Sequence, residues 1–275
     1  MQQINVTRTG FVTPRIRPIF SLAALAACLF ALNGAAGPSA PYEDFIRQTN
    51  VYTHGAITIH QLNVGPLCAN CYIVADRRKN VIVIDPGACP ESLADYITNH
   101  AFRVTSYVLT HSHLDHSSAL DELVTALPSE VAMHPEENDW AFSEKNQWLP
   151  AYPRTRKVSI TRPLRHQQTF SDGELTYTVI HTPGHSPGSV CLWFPAESVV
   201  FSGDTLFAGT VGRTDLHRSN PTALIRSLGV FLLMPPATSI YAGHGEPTTV
   251  ANELARNPFL QAFPEPPPKD SGKTR

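Results

Sequence analysis

Basic residues, cysteines and long apolar runs are all scarce in this sequence, and each shortage argues against a class of function. Lys and Arg number 21 against 23 Asp and Glu, which gives a formal net charge of -2. Without a basic surplus, the chain is not expected to bind nucleic acid. Among the five cysteines, Cys68 and Cys71 form a single CxxC pair, which is weak support for a thiolate zinc site. Cys71 begins a strand-like apolar run and is predicted to pack in the core.

The most apolar stretch lies near the start of the chain. Residues 1–18 contain arginines and no acidic residue, and Ile19–Leu32 is apolar except for Ser21. This order is typical of a secretory signal peptide, and the stretch is shorter than the roughly 20 residues that span a bilayer. We therefore interpret residues 1–40 as a targeting segment and expect export to the periplasm or outside the cell. A mitochondrial or cytoplasmic location is the alternative, and the membrane is a partner only if this segment is uncleaved or lipidated at Cys28.

The remaining chain is predicted to form one domain, residues 41–262, and a disordered Pro-rich tail, residues 263–275. Strand-like runs come first and then alternate with helical stretches, which predicts an α/β fold with sheets covered by helices. Residues 134–167 have no clear periodicity and are predicted to be a loop region with a short helix near the site. The main predicted elements are strands at Ile57–Leu62, Asn70–Ala75, Val81–Asp85, Val104–Thr110, Leu175–His181, Ser189–Phe194, Ser198–Phe201 and Ser239–Tyr241, and helices at Glu91–His100, Ser117–Ala126, Pro221–Leu233 and Thr248–Arg256.

The densest group of polar residues is the hexapeptide His-Ser-His-Leu-Asp-His, which begins at His111. It follows a predicted buried strand and precedes a predicted helix, so we expect it on the connecting loop, where α/β sheets keep their sites. Neutral imidazoles and carboxylates are ligands of zinc and iron. His111 and His113 can converge on one ion, which leaves Asp115 and His116 for a second. A solvated His-rich turn is the alternative interpretation.

Three later residues, His185, Asp204 and His244, each follow a predicted strand at a turn bounded by glycine. Glycine lets the backbone bend close to an ion. Taken singly, each residue is weak support, because an Asp after a strand is most often a helix cap and a His between glycines is most often a turn residue. Together with the hexapeptide, and in this order, they indicate a metal centre.

This series of motifs resembles the metallo-β-lactamase superfamily, and Val83–Gly87 is similar to its first motif, which contributes no ligand. The resemblance extends over about residues 56–259 and implies a four-layer αββα sandwich with the metals at one edge. Three further stretches, Thr182–Ser189, Phe207–Leu216 and Asn257–Phe259, are most similar to the glyoxalase II-like branch. Glyoxalase II proper has a further helical segment after its last His. Only Gly245–Phe263 lie between His244 and the predicted tail, which leaves glutathione recognition open.

The resemblance implies two divalent ions, zinc first, with iron or manganese as alternatives. Their ligands would be His111, His113 and His185 for the first ion, Asp115, His116 and His244 for the second, and Asp204 as a bridge between them. Asp115 is also expected to orient the attacking water, which makes it the catalytic residue. Asp85 is a candidate to orient the loop that carries His111, because ligand imidazoles usually donate their second N–H to a carboxylate or carbonyl.

Two neighbouring divalent ions lower the pKa of water toward about 7 and polarise a carbonyl group. The implied function is therefore hydrolysis of a small acyl substrate, first of all a thioester, by a metal-bound hydroxide. Three alternatives stay open: a mononuclear Fe(II) persulfide dioxygenase on the same scaffold, a β-lactamase, and a non-enzymatic metal-binding relative. The sequence does not determine the oligomeric state.

Overall fold

Two sheets lie between layers of helices in the structure, a computed structural model that describes residues 46–147, 149 and 151–263. The predicted targeting segment and the predicted tail beyond Phe263 lie outside the described residues. In the described part of the chain, no helix is both long enough and apolar enough to cross a membrane.

The first sheet has seven strands that follow one another in chain order. They are β1 (Gln48–His54), β2 (Ile57–Val64), β3 (Ala69–Ala75), β4 (Asn80–Ile84), β5 (Arg103–Val108), β6 (Glu130–Met133) and β7 (Arg162–Pro163). β1 to β4 pair antiparallel, whereas β4 to β7 pair parallel. Parallel pairing requires crossover connections. These contain the helices α1 (Pro90–Asn99), α2 (Leu114–Ser117), α3 (Leu120–Ala126) and α4 (Asn138–Ala141).

The second sheet has six strands in the order β15-β14-β11-β10-β9-β8, and a separate two-stranded ribbon pairs β12 with β13. The strands are β8 (Thr169–Asp172), β9 (Leu175–His181), β10 (Val190–Phe194), β11 (Val199–Gly203), β12 (Leu206–Phe207), β13 (Thr210–Val211), β14 (Ser239–Ala242) and β15 (Thr248–Thr249). β11 and β14 pair parallel, so their carboxyl ends lie at the same edge. The helices of this half are α5 (Pro221–Leu228), α6 (Val250–Arg256) and α7 (Pro258–Gln261).

Three clusters of buried side chains separate four layers, which confirms the predicted αββα sandwich. Successive residues of a strand face opposite sides of a sheet. On β3, Ile73 accordingly packs toward α1 and α3, while Tyr72 and Val74 join a cluster with Tyr177 and Phe201 of the second sheet. A third cluster lies between the outer face of the second sheet and α5, α6 and α7. The predicted packing of Cys71 is also confirmed, because its side chain is fully buried.

Two predicted helices differ from the structure. The helix expected over Ser117–Ala126 is divided into α2 and α3, and α2 already begins at Leu114. Asp115 therefore lies on a helix and not on a loop. The division coincides with two hydroxyls that bond to carbonyls four residues earlier, Ser117 Oγ to His113 O at 3.1 Å and Ser118 Oγ to Leu114 O at 2.7 Å. Such side-chain bonds compete with the backbone pattern of a helix. The helix expected over Pro221–Leu233 is α-helical only to Leu228 and then continues as a 3-10 helix.

Candidate metal centre

The predicted site residues lie at one edge of the sandwich, where strands of both sheets end, Asp115 and His116 on α2 and the others on loops. The hexapeptide follows β5, Asp85 follows the neighbouring parallel strand β4, and Asp204 and the His244 loop follow the parallel pair β11 and β14. His185 lies in the connection between β9 and β10. The carboxyl ends of parallel strands share an edge of a sheet, and ligand sites of open α/β sheets are found there. The fold thus brings together predicted ligands that are far apart in the sequence, the first and last of which, His111 and His244, are separated by 133 positions.

Three imidazoles form what we call the first triad: His111, His113 and His185. One ring nitrogen from each lies within 4.8 Å of the other two. His113 Nδ1 is 2.9 Å from His185 Nε2. His111 Nε2 is buried and has no hydrogen-bond partner within the described residues. A buried nitrogen without a partner is costly unless a ligand or ion satisfies it.

Two imidazoles and a carboxylate form the second triad: Asp115, His116 and His244. Their nearest ligand atoms also lie within 4.8 Å of one another. His244 Nε2 is 3.2 Å from His116 Nε2 and 3.3 Å from Asp115 Oδ2. The side chain of His244 is 28% exposed, whereas those of Asp115 and His116 are 8% and 0% exposed. Solvent therefore reaches the second triad past His244.

Asp204 lies between the two triads. Its Oδ1 is 3.5 Å from His116 Nε2, and its Oδ2 is 3.4 Å from His185 Nε2. Oδ1 is buried and accepts no hydrogen bond from any described residue. The structure thus brings together all seven residues that the sequence predicts as ligands, with Asp204 in the bridging position.

Two hydrogen bonds fix which nitrogen of a ring faces the centre. His116 Nδ1 is 3.2 Å from Asp85 Oδ2, and His185 Nδ1 is 2.9 Å from the Arg213 carbonyl oxygen. In both rings Nε2 is left for an ion. Asp85 is itself held by Thr110, whose backbone N–H and hydroxyl donate to its two oxygens at 2.7 and 2.6 Å. The predicted orienting position of Asp85 agrees with these contacts.

Burial and charge set the protonation of the centre. Burial lowers the pKa of His111 well below its usual range, and burial together with His185 lowers the pKa of His113 to about 4. Both rings are therefore neutral near pH 7. Although burial opposes the charged form of His116, Asp115 and Asp204 raise its pKa to about 10. A cation bound at Nε2 of His116 would replace the proton that this raised pKa favours, because a ligating imidazole must be deprotonated there.

The donor atoms fit divalent cations. Imidazole nitrogens with carboxylate oxygens are the ligand types of zinc and of non-haem iron. Two nitrogens on one tetrahedral zinc at about 2.0–2.1 Å lie about 3.3–3.4 Å apart. The separations of 2.9 Å in the first triad and 3.2 Å in the second are close to that value. The unpartnered His111 Nε2 and Asp204 Oδ1 are the two buried atoms of the centre that such ions would satisfy.

Two polar residues that the sequence analysis missed hold the His244 loop. Asn70 is fully buried, and its side-chain amide donates to the carbonyls of Ala242 and Gly245 at 3.0 and 2.9 Å. Tyr72 Oη donates to Ala242 O at 2.6 Å. A polar Asn at the start of an apolar strand was the available signal, because a buried amide needs partners.

The loop after Asp204 is held from the C-terminal side of the described chain. Glu253 Oε2 accepts from the Gly209 N–H at 2.8 Å, and Asn257 Nδ2 donates to Thr210 O at 3.0 Å. Within the loop, Arg213 donates two hydrogen bonds of 2.7 Å to the carboxylate of Asp215.

A serine nucleophile is not supported at this edge. Gly184–Gly188 matches the G-x-S-x-G pattern of serine hydrolases. However, Ser186 is buried and its hydroxyl is 2.8 Å from Ser189 Oγ. The hydroxyl is therefore engaged with a second serine and not with an imidazole base, which a nucleophilic serine requires.

Comparison with known proteins agrees with the fold and the site. The sequence profile of the metallo-beta-lactamase superfamily matches residues 64–244. The chain belongs to this superfamily, whose members are generally metal-dependent hydrolases. The predicted family is thereby confirmed.

Among curated proteins, the chain is similar to the probable metallo-hydrolase YqgX of Bacillus subtilis. The two are 35% identical over 210 residues, which cover 74% of this chain and 97% of YqgX. It is also similar to the hydroxyacylglutathione hydrolase GloC of Haemophilus influenzae, with 32% identity over 205 residues, 70% of this chain and 93% of GloC.

Among solved structures, BLEG-1, described as a B3 metallo-beta-lactamase, has a TM-score of 0.70 and 33% identity, and the match covers 74% of this chain and 99% of BLEG-1. TTHA1623, solved in a di-iron-bound form, has a TM-score of 0.66 and 38% identity, and the match covers 73% of this chain and 99% of TTHA1623.

Proposed function

We propose that this protein is a dinuclear-metal hydrolase that cleaves thioesters. The observation that carries the proposal is the pair of triads on either side of Asp204, which together offer seven donor residues around two positions. A thioester is the first choice of substrate because GloC is a hydroxyacylglutathione hydrolase and the matched residues span 93% of its length. Zinc is the first choice of metal, with iron as an alternative that the di-iron form of TTHA1623 supports.

Bound divalent ions would supply Lewis acidity, which lowers the pKa of water and polarises the carbonyl oxygen of the substrate. The chain's own residues hold and orient the reactants. Asp204 sets the spacing of the two triads, and Asp115, next to the partly exposed His244, would orient the attacking water. Substrate would approach past His244, where the ring of Phe207 lies 6.1 Å away and offers an apolar contact for an acyl group.

Metal content and substrate range test this proposal together. We expect about two ions per chain by elemental analysis, thiol release from S-lactoylglutathione, and loss of that activity with a chelator that added Zn²⁺ or Fe²⁺ restores. His113→Ala is the matched loss-of-function control, because it removes one nitrogen of the first triad. Thioester turnover that persists in His113→Ala, or in chelator-treated protein, would refute the assignment.

A β-lactamase is the second candidate, because BLEG-1 carries that description and its match covers nearly its whole length. Hydrolysis of a chromogenic cephalosporin faster than of any thioester would favour this candidate. A single iron per chain, with oxygen consumption on a persulfide, would instead replace the hydrolase proposal with a dioxygenase.

We also propose that residues 1–40 direct export of the domain. The support is the basic start followed by the short apolar stretch. Fractionation of the producing cells tests this, since enzyme recovered from the cytosol with residues 1–40 intact would contradict export.

A further inference from the structure

A buried glutamate outside both triads links two loops of the centre. Glu137 ends the 3-10 helix Pro135–Glu137 and is 0% exposed. Its Oε2 accepts a very short hydrogen bond from Ser112 Oγ, and its Oε1 accepts from the Gly188 N–H at 2.6 Å. Both donors are neutral, so these bonds solvate the carboxylate without neutralising its charge. A buried charge of this kind is costly unless a cation lies near it.

The two donors belong to the two loops that supply the first triad. Ser112 lies between His111 and His113, and Gly188 lies three residues after His185. One loop follows a strand of the first sheet and the other connects two strands of the second, so Glu137 joins the sheets at this edge. The approach is close: a Cβ atom at Gly188 would lie 2.6 Å from Glu137 Cγ. Only glycine leaves room for this contact.

The segment that carries Glu137 is itself fixed against the same loop. Asn146 Nδ2 donates to Ser112 O at 2.7 Å, and Trp140 Nε1 donates to Asn146 Oδ1 at 2.9 Å. Asn146 is fully buried and Trp140 is 9% exposed. Because its surroundings are packed and hydrogen-bonded, the carboxylate of Glu137 is held in place and can position the loops that it touches.

The two triads differ in the acidic groups around them. The second triad contains Asp115, and its His116 bonds to Asp85 at 3.2 Å. The first triad consists of three imidazoles and contains no carboxylate of its own. It shares Asp204 with the second triad, and an oxygen of Asp85 lies within 4.8 Å of a ring nitrogen of His111. Glu137 supplies a further negative charge next to this neutral set.

We propose that Glu137 is a positioning residue of the first triad alone: it holds the Ser112 and Gly188 loops together and provides a fixed charge that favours a cation there. This inference rests on the proposed two-ion site. It predicts that loss of the charge weakens the binding of the ion at the first triad and leaves the binding of the ion at the second triad unchanged.

Glu137→Gln is the test variant, because Gln keeps the size of the side chain and an acceptor for the Gly188 N–H but removes the charge. Metal affinity is measured by chelator competition with Zn²⁺ in two backgrounds. His244→Ala disables the second triad, and there we expect Glu137→Gln to weaken binding about 10–100-fold. His185→Ala disables the first triad, and there we expect a change of less than about 3-fold, since both donors to Glu137, Ser112 and Gly188, lie on the loops that supply the first triad.

Asp76→Asn is the matched control. Asp76 is 6% exposed and likewise accepts hydrogen bonds from neutral donors, the backbone N–H groups of Arg78, Asn80 and Glu174 at 2.8, 2.9 and 2.9 Å, but it precedes β4, whereas the centre lies beyond the carboxyl end of that strand. We expect it to lower thermal stability about as much as Glu137→Gln does, without weakening Zn²⁺ binding in the His244→Ala background. In an otherwise unchanged chain, Glu137→Gln should weaken the binding of only one of the two ions.

The inference would be overturned by equal weakening of Zn²⁺ binding at both triads, by equal weakening in the Asp76→Asn control, or by an unchanged Zn²⁺ affinity of the first triad. These outcomes are distinct from failure of the proposed function, which is a wild-type chain that binds fewer than two ions or hydrolyses no thioester. The affinities of the single-triad variants are measured without reference to turnover, so they test Glu137 in either case.

Discussion

Two buried aspartates, Asp76 and Asp204, differ in how their oxygens are satisfied. Asp76 lies just before β4, far from the centre, and is 6% exposed, whereas Asp204 follows β11 within the centre and is 7% exposed. Asp76 accepts four hydrogen bonds, from the backbone of Arg78, Asn80 and Glu174 at 2.8, 2.9 and 2.9 Å and from Asn80 Nδ2 at 2.7 Å. Asp204 Oδ1 accepts none from the described residues.

Hydrogen bonds within the chain satisfy the carboxylate of Asp76, whereas they leave Oδ1 of Asp204 without a donor. The pKa values of both groups are lowered against the effect of burial, for Asp76 by hydrogen bonds from Asn80 and Glu174, and for Asp204 by the charges of His116, His244 and His185. Neutral donors within the chain thus suffice for Asp76. Asp204 is stabilised by positive charge, which a proton on an imidazole or a metal ion can supply.

Asp204→Asn should produce the largest effect, chiefly on function. Thioester turnover should fall about 10³-fold or more, because the amide cannot bridge two cations and several kcal/mol of electrostatic stabilisation are lost. The metal-free protein should stay folded and lose at most about 2 kcal/mol in the free energy of unfolding, because the charge interaction with His116 is removed but no hydrogen bond to Oδ1 is. Thiol release and urea unfolding in chelator measure the two quantities. A variant that is inactive because it is unfolded would erase the contrast with Asp76.

Asp76→Asn should produce the opposite pattern. The new amide group cannot accept from both N–H donors that now reach Oδ2, so we expect a loss of about 1–3 kcal/mol in the free energy of unfolding. Metal content and thioester turnover should stay within about 2-fold of wild type, because Asp76 lies at the far end of a buried strand from the centre. Urea unfolding and the thioester assay decide the matter. A large loss of turnover in a folded Asp76→Asn protein would show that the two ends of β4 are coupled.

The smallest expected effect concerns how the contribution of Asp76 to the free energy of unfolding depends on pH. The pKa of Asp76 is lowered in the folded state, so its contribution to stability is present above the unfolded value of about 3.9 and is lost as pH falls through the folded pKa. The difference in free energy of unfolding between wild type and Asp76→Asn should therefore be constant from about pH 5 to 8 and shrink below about pH 4. Urea unfolding of both proteins in chelator across this range measures it. A difference that grew toward low pH would contradict the assigned role.

Much of the fold could be predicted from local patterns. Most strands of the core are predicted at nearly their observed bounds, because their apolar residues are contiguous or alternate along the chain. β6 was missed although three of its four residues are buried, because so short a run has no clear period. β1 was missed: it is an edge strand with mostly exposed or half-exposed residues, so it has no strong apolar period. The start of α2 at Leu114 was also missed, because a helix of four residues is too short for a periodic pattern.

The sequence predicts the residues of the candidate site and one of the residues that support them, Asp85, but not the other supports. His111, His185 and Asp204 stand out in the sequence because each follows a strand at a turn. Glu137 and Asn70 do not, since Glu137 bonds Gly188, 51 positions away, and Asn70 bonds Ala242, 172 positions away. No local pattern contains such partners, so only the packed structure could identify them.

The sequence by itself determined the donor types, their order and their positions at strand ends, because these depend on residue chemistry and on local periodicity. The tertiary structure decided which donors face one another, that Asp204 lies between two triads, and that its Oδ1 is left without a partner while all of Asp76 is satisfied. The physical reason is that hydrogen-bond satisfaction and charge balance depend on distances across the two sheets, which the pairing of β4 with β5 and of β11 with β14 fixes only when the chain is folded.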